Sequence, residues 1–212
     1  MAVEGTSTGD RGSLETAPPA PQPPIQASGP ALGLAGFALC TFVLSVFNAH
    51  LVNTAGLPVL FGALLFFGGI AQFLAGMWEF RVGNTFTATV FGSYGAFWMS
   101  LWAIQVFYAK LVPANVLGHA LGLYLWAWAG FTFMLFVAAL KTNAAVAITV
   151  LLLVATEVVL ALGYDGNSLS TLKIGGYVGI ATAAAAWYVM WGIVLEFTWG
   201  REVLPVFPLV HE

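Results

Sequence analysis

The sequence predicts an all-α polytopic membrane protein, and three observations carry that prediction. Of its 212 residues, 60% are hydrophobic and only 7% are charged, with a mean hydropathy of +0.91. Soluble domains carry about 25% charged residues, so lipid must be the solvent for most of this surface. Apolar runs of the ~20 residues needed to cross the hydrocarbon recur along the chain. The breaks between them are short and built from Gly, Pro, Asn and Asp, which makes successive helices antiparallel. The runs are too long for membrane strands and do not alternate as strands would.

Residues 1–30 are rich in Gly, Ser, Thr, Pro and Ala, with pairs at Pro18-Pro19 and Pro23-Pro24. They bury too little apolar area to offset ordering entropy, so a disordered cytoplasmic tail is expected. Pro18, Pro21 and Pro24 match PxxP spacing, but without a basic flank a plain linker explains them better. No basic start leads into an apolar core, so no cleavable signal is expected. The first apolar run, from Ala31, would then act as an uncleaved insertion signal. Six spans are expected near 31–53, 57–80, 86–110, 117–140, 144–164 and 173–198, in a transport domain over 31–206. Residues 207–212 remain as a short C-terminal tail. The first break runs from Asn53 to Pro58 and the second holds Gly83-Asn84. Pro113-Ala114-Asn115, Thr142-Asn143 and Asp165-Gly166-Asn167 supply the other three.

An even number of spans puts both termini on one side. If that side is cytoplasmic, Arg11, Arg81, Lys141 and Arg201 lie inside, and Lys110 and Lys173 outside, in line with the positive-inside rule. Small residues recur every four positions at Ala88, Gly92 and Ala96, at Gly118 and Gly122, and at Gly175, Gly179 and Ala183. Such stripes let helix backbones approach closely in lipid. They suit packing within the protomer or contacts between subunits.

Polar residues inside spans are costly and should face protein or a wet cavity. Phe37, Thr41, Ser45 and Asn48 share one face of the first span. Thr87, Tyr94 and Trp98 align in the third, and Thr149, Leu153 and Thr156 in the fifth. Gln72 stands alone in the second run, and Asn84 and Thr85 open the third. Hydroxyls and amides interrupted by large apolar groups suit a conduit with hydrophobic narrow points. The competing explanation is that each Ser or Thr bonds back to its own helix. Glu79 and Arg81 suit a local ion pair or a pore mouth, and Glu196 and Arg201 lie on the same side. Glu157 lies well inside the fifth span. It reads equally as a proton-coupling carboxylate or as a neutral, locally bonded Glu at a polar crevice.

Other functions lack support. The six Lys and Arg do not cluster, so nucleic acid is not an expected partner. Cys40 is the one cysteine, which leaves no internal disulfide and no metal set. No HExxH, GxSxG, CxxC or phosphate-binding loop occurs. Neither an enzyme nor a cofactor nor a metal is expected.

The blocks Phe67-Gly68-Gly69-Ile70-Ala71-Gln72, Ala75-Gly76-Met77-Trp78-Glu79-Phe80, Gly83-Asn84-Thr85-Phe86 and Ser93-Tyr94-Gly95-Ala96-Phe97-Trp98 resemble the acetate uptake transporter family. It is also called the Gpr1/Fun34/YaaH or succinate–acetate permease family. Gly122-Leu123-Tyr124, Phe131-Thr132, Leu140-Lys141 and the stretch from Gly200 to Pro205 extend the likeness across about 28–206. The resemblance implies six membrane helices around a pore in each protomer, and a hexameric ring in bacterial members. It implies passage of acetate and related short monocarboxylates, and of succinate in some members, across the cell membrane. It also implies a hydrophobic constriction at Phe37, Tyr94 and Leu153, and a size-selective position at Ala186. The family's opening Asn-Pro-Ala-Pro-Leu-Gly-Leu is Ser28-Gly29-Pro30-Ala31-Leu32-Gly33-Leu34 here, so the Asn and the proline spacing are gone. Glu157 matches no carboxylate position of the family.

The expectation is therefore a transporter or channel for short carboxylates, with or without a coupled proton. Uncompensated anion entry would work against about 2.3 kcal/mol per 100 mV of inside-negative potential. The alternatives are a channel for another small solute, such as ammonia or a polyol, and a non-transporting sensor or adaptor acting through the Pro-rich tail.

Overall fold

The computed structural model describes residues 27–209. The expected tail over 1–30 lies outside the described residues up to position 26, as do the last three residues. Six helices cross the molecule: α1 (Gly29–Asn48), α2 (Thr54–Val82), α3 (Thr85–Leu111), α4 (Ala114–Ala139), α5 (Ala144–Asp165) and α6 (Leu169–Trp199). Each is long and apolar enough to span a bilayer, and no strand forms among the described residues. Val59, Phe66, Leu111, Leu123 and Met134 lie at least 65% exposed. Large apolar groups turned outward on this scale fit a lipid surround.

The breaks work as helix starts. Side-chain oxygens of Asn53, Asn84, Asn143 and Ser168 accept from Ala55, Thr87, Val146 and Thr171 backbone N–H groups at 2.9–3.3 Å. Each satisfies a first-turn donor that has no partner inside its own helix. Gly83 and Gly200 end α2 and α6 at φ of +82° and +68°, a backbone that glycine adopts without strain. The first span is shorter than the expected 31–53. It stops at Asn48, and His50 takes a left-handed φ of 54°. Helix α2 starts at Thr54 as a 3₁₀ turn containing Pro58, then passes through π-type turns over Leu64–Ala71 before becoming regular at Gln72. A second π-type stretch, Ile104–Tyr108, lies near the end of α3.

Packing follows chain order: α1 on α2, α2 on α3, α4 on α5, α5 on α6, and α6 back on α1. Backbone approach is thinnest between α3 and α4. Aromatic side chains fill that seam. Phe97 stacks on Tyr124 with centroids 5.8 Å apart, and Trp128 meets Phe97 and Tyr94 at 5.0 and 5.5 Å. Ser100 and Tyr124 hydroxyls join at 2.6 Å. The result is a closed ring of six helices. The glycine stripes work inside it: a Cβ on Gly76 would strike the Gly92 backbone, and one on Gly179 would strike Ser45. Cys40 is buried between α1 and α2, its thiol donating to the Ala63 carbonyl at 3.3 Å.

After α6 the chain folds back across the end of the ring that also carries the start of α1. The Ala144 and Ala145 N–H groups donate to Phe207 and Val206 carbonyls at 2.8 and 3.2 Å, and Leu209 N–H to Thr142 O at 3.1 Å. Tyr188 holds the Pro205 carbonyl at 2.7 Å. This segment thereby supplies acceptors to the exposed donors at the start of α5.

Candidate functional site

Two cavities enter the ring from opposite ends. The smaller, about 80 Å³, lies at the end where α1 finishes and is bounded there by Asn48, Gln105 and Tyr164. The larger, about 560 Å³, opens at the end bearing both described termini, near Asn84, Thr142, Glu196 and Glu202. Among the described residues, Phe37, Tyr94 and Leu153 line both cavities and no other does. They come from α1, α3 and α5, alternate members of the ring. Phe37 and Tyr94 meet edge to face with centroids 5.7 Å apart, and both are almost fully buried.

Tyr94 is held from the adjoining helices. Its hydroxyl meets the Thr132 hydroxyl of α4 and donates to Glu157 Oε1 of α5 at 3.0 Å. Thr132 in turn donates to the Trp128 carbonyl at 2.7 Å. The ring of Tyr94 packs on Phe97 and Trp128.

The polar residues divide between the cavities. Thr41, Ser45, Asn48, Thr156 and Glu157 line the smaller, and Gln72, Asn84 and Thr149 the larger. Thr149 and Thr156 bond back to the Ala145 and Leu152 carbonyls at 2.8 Å, so helix back-bonding accounts for their hydroxyl hydrogens. Thr41 makes no such bond and leaves its hydroxyl without a partner, as do both amide atoms of Gln72, the Trp98 indole nitrogen and Glu157 Oε2. Among the described residues, every buried side-chain N or O that lacks a partner belongs to a residue lining one of the two cavities. Unpartnered buried polar groups are rare and ask for a ligand or water.

Two positions named from the sequence line neither cavity. Thr85 is exposed in the first turn of α3, and Thr87 lines the larger cavity instead. Two residues along a helix turn a side chain by about 200°, which separates the two threonines. Ala186 is fully buried in the cluster that also holds Phe37 and Tyr94. Glu79 forms no ion pair with Arg81: it turns inward and accepts from the Thr87 hydroxyl at 2.5 Å. Arg81 instead lies over the Trp78 ring, 5.9 Å from its centroid. The sequence did not single out Thr132, Gln105, Tyr124 or Tyr164 as site residues. Their parts depend on which helices become neighbours, and helix periodicity alone carries no such signal.

Comparison with known proteins adds to this geometry. The profile of the GPR1/FUN34/yaaH family matches residues 11–210. The chain is 40% identical over 175 residues to accumulation of dyads protein 2 of Saccharomyces cerevisiae, and 39% to ammonia transport outward protein 2 of the same yeast. Each alignment covers 80% of this chain but 62% of the yeast protein, so the chain spans under two thirds of those relatives. It is 34% identical over 175 residues to the succinate-acetate/proton symporter SatP of Escherichia coli K12, covering 82% of this chain and 92% of that one. Among solved structures, that of the bacterial acetate channel SatP superposes with a TM-score of 0.80 at 34% identity. It covers 86% of this chain and 99% of its own.

Proposed function

The chain belongs to the GPR1/FUN34/yaaH family, and from that premise we propose that it is a transporter or channel passing acetate and related short-chain carboxylates, succinate among them, across a cell membrane. The observation that carries the proposal is the meeting of two opposed cavities at Phe37, Tyr94 and Leu153 alone. A pinch of one phenyl, one phenol and one isobutyl group passes small solutes and stops large ones. The unpartnered Gln72 amide on one side and Thr41 hydroxyl on the other can donate to a carboxylate without trapping it as a bidentate Arg would. No catalysis enters the proposal.

Further parts belong to the same reading. Ala186 is buried in the same cluster as Phe37 and Tyr94, which supports reading it as a size-selective position where a larger residue would narrow the passage. Arg81, Lys141 and Arg201 share the end of the larger cavity, while Lys110 and Lys173 lie at the other. That asymmetry supports an orientation in which the larger cavity and both described ends of the chain face the cytoplasm. A homo-oligomer, hexameric as in bacterial members of the family, would bury part of the apolar outer surface.

Uptake of labelled acetate by liposomes holding the purified protein tests the function. Flux above that of protein-free liposomes is expected, with competition by propionate and none by glycerol or ammonium. Flux absent, or lost only to ammonium, sinks the carboxylate assignment and favours the ammonia alternative suggested by the name of one yeast relative.

A further inference from the structure

We propose that Glu157 is a solute-binding group of this passage, engaging a short carboxylate through its free oxygen only while its own proton is in place. The proposal rests on the carboxylate passage set out above.

Glu157 sits in the middle of α5 at 3% exposure and lines the smaller cavity directly beside the pinch. Its two oxygens have different surroundings. Oε1 is 3.0 Å from the Tyr94 hydroxyl. Oε2 is buried and has no partner among the described residues, so the cavity is where its partner must come from.

Counting hydrogens shows why the proton matters. Oε1, the Tyr94 hydroxyl, the Thr132 hydroxyl and the Trp128 carbonyl form a row of four oxygens with three contacts between them. The carbonyl only accepts. Tyr94 and Thr132 bring one hydrogen each, which leaves one contact unfilled if Glu157 is ionised. A neutral Glu157 supplies the third. It can place that hydrogen on Oε1 and complete the row, the arrangement for an empty cavity. It can instead place it on Oε2 and donate to a carboxylate, while Tyr94 donates to Oε1 and its contact with Thr132 goes without a hydrogen. The second arrangement is the one that complements the solute anion.

An ionised Glu157 complements neither the row nor the anion. Two like charges a few ångströms apart in a poorly polarisable surround repel strongly, and nothing in the cavity offsets that. The other titratable groups lining it are Tyr94 from α3, Tyr124 from α4 and Tyr164 from α5. Helix α1 offers Thr41, Ser45 and Asn48, which carry no charge, and α2 and α6 contribute no lining residue. Among the described residues, no Lys, Arg, His or Asp lines it.

The test is labelled-acetate flux in proteoliposomes with equal pH on both sides, read from acidic to alkaline pH at fixed acetate anion. Leakage of free acid is subtracted using protein-free liposomes. Wild-type flux is expected to fall about tenfold per pH unit once the carboxyl ionises. Glu157→Gln keeps an amide donor and an acceptor and cannot ionise. Scaled to its own value at acidic pH, its flux is expected to change less than about twofold across the range. A Glu157→Gln profile that tracks the wild type removes Glu157 from the site and leaves the passage standing. No wild-type flux at any pH overturns the passage itself. A second readout is independent of whether the variant folds. Infrared spectra of the wild-type protein should show a protonated-carboxyl band that shifts on addition of acetate and fades at alkaline pH. That band should persist in Glu79→Gln, which removes another buried glutamate. A band blind to acetate, or none, overturns the inference.

Discussion

Tyr94 combines a ring that fills space with a hydroxyl that fixes where the ring lies. The two parts separate by substitution. Tyr94→Ala removes the ring, and is expected to admit longer monocarboxylates such as butyrate, measured by competition against labelled acetate. Burial this complete implies a stability cost of about 3–5 kcal/mol, as for other core aromatics. Tyr94→Phe keeps the ring and deserts Thr132 and Glu157. Size selection should persist while stability falls by about 1–3 kcal/mol, the cost of stranding buried polar groups; thermal unfolding in detergent reads this. At this scale the sequence named Phe37, Tyr94 and Leu153 through likeness to a family, and the chain brings all three to one junction. It gave Thr132, 38 residues from Tyr94, no part in the site, because a pairing between helices has no local signature. Thr85 shows the opposite difficulty. It sits beside true lining residues in sequence but a different rotation of the helix points it out.

Helices were the most legible part of the chain. Polar residues in the predicted breaks Asn53, Asn84 and Asn143 all became caps, because an amide oxygen at a helix start has donors waiting for it. Asn143→Ala should cost about 1 kcal/mol by thermal unfolding. Helix ends were less legible. Residues 49–53 are as compatible with a turn as with another turn of helix, and the left-handed His50 decides the matter in three dimensions. The π-type turns of α2 had no visible code either. They place the Phe67 carbonyl where α1 must pass, and only a residue without Cβ fits at Gly36. Gly36→Ala is therefore expected to lose about 1–3 kcal/mol and to lower the thermal midpoint. A shift within error would mean that α1 and α2 adjust freely.

For the whole molecule, short connections between long helices were enough to predict an antiparallel bundle, and the ring follows chain order for the same reason. Its closure between α3 and α4 was not predictable from span lengths, since it relies on aromatic bulk instead of close backbones. The returning C-terminal segment was also hidden. The sequence marked 207–212 only as a short tail; the segment holds α5 through Val206 and Phe207 and forms part of the larger cavity wall through Leu204, Val206 and Pro208. Removing residues 204–212 should lower the thermal midpoint without reducing acetate flux. Flux lost in a protein that remains folded would assign that segment a part in conduction.

The inequality of the two cavities has a bearing on kinetics. A solute arriving from the roomy end keeps its hydration until it reaches Phe37 and Tyr94, whereas one arriving from the cramped end must shed water at the threshold. Half-saturation should then depend on the side from which acetate is offered, although detailed balance forbids any net preference at equilibrium. Liposomes with a single protein orientation, loaded from either face in turn, would display that sidedness directly.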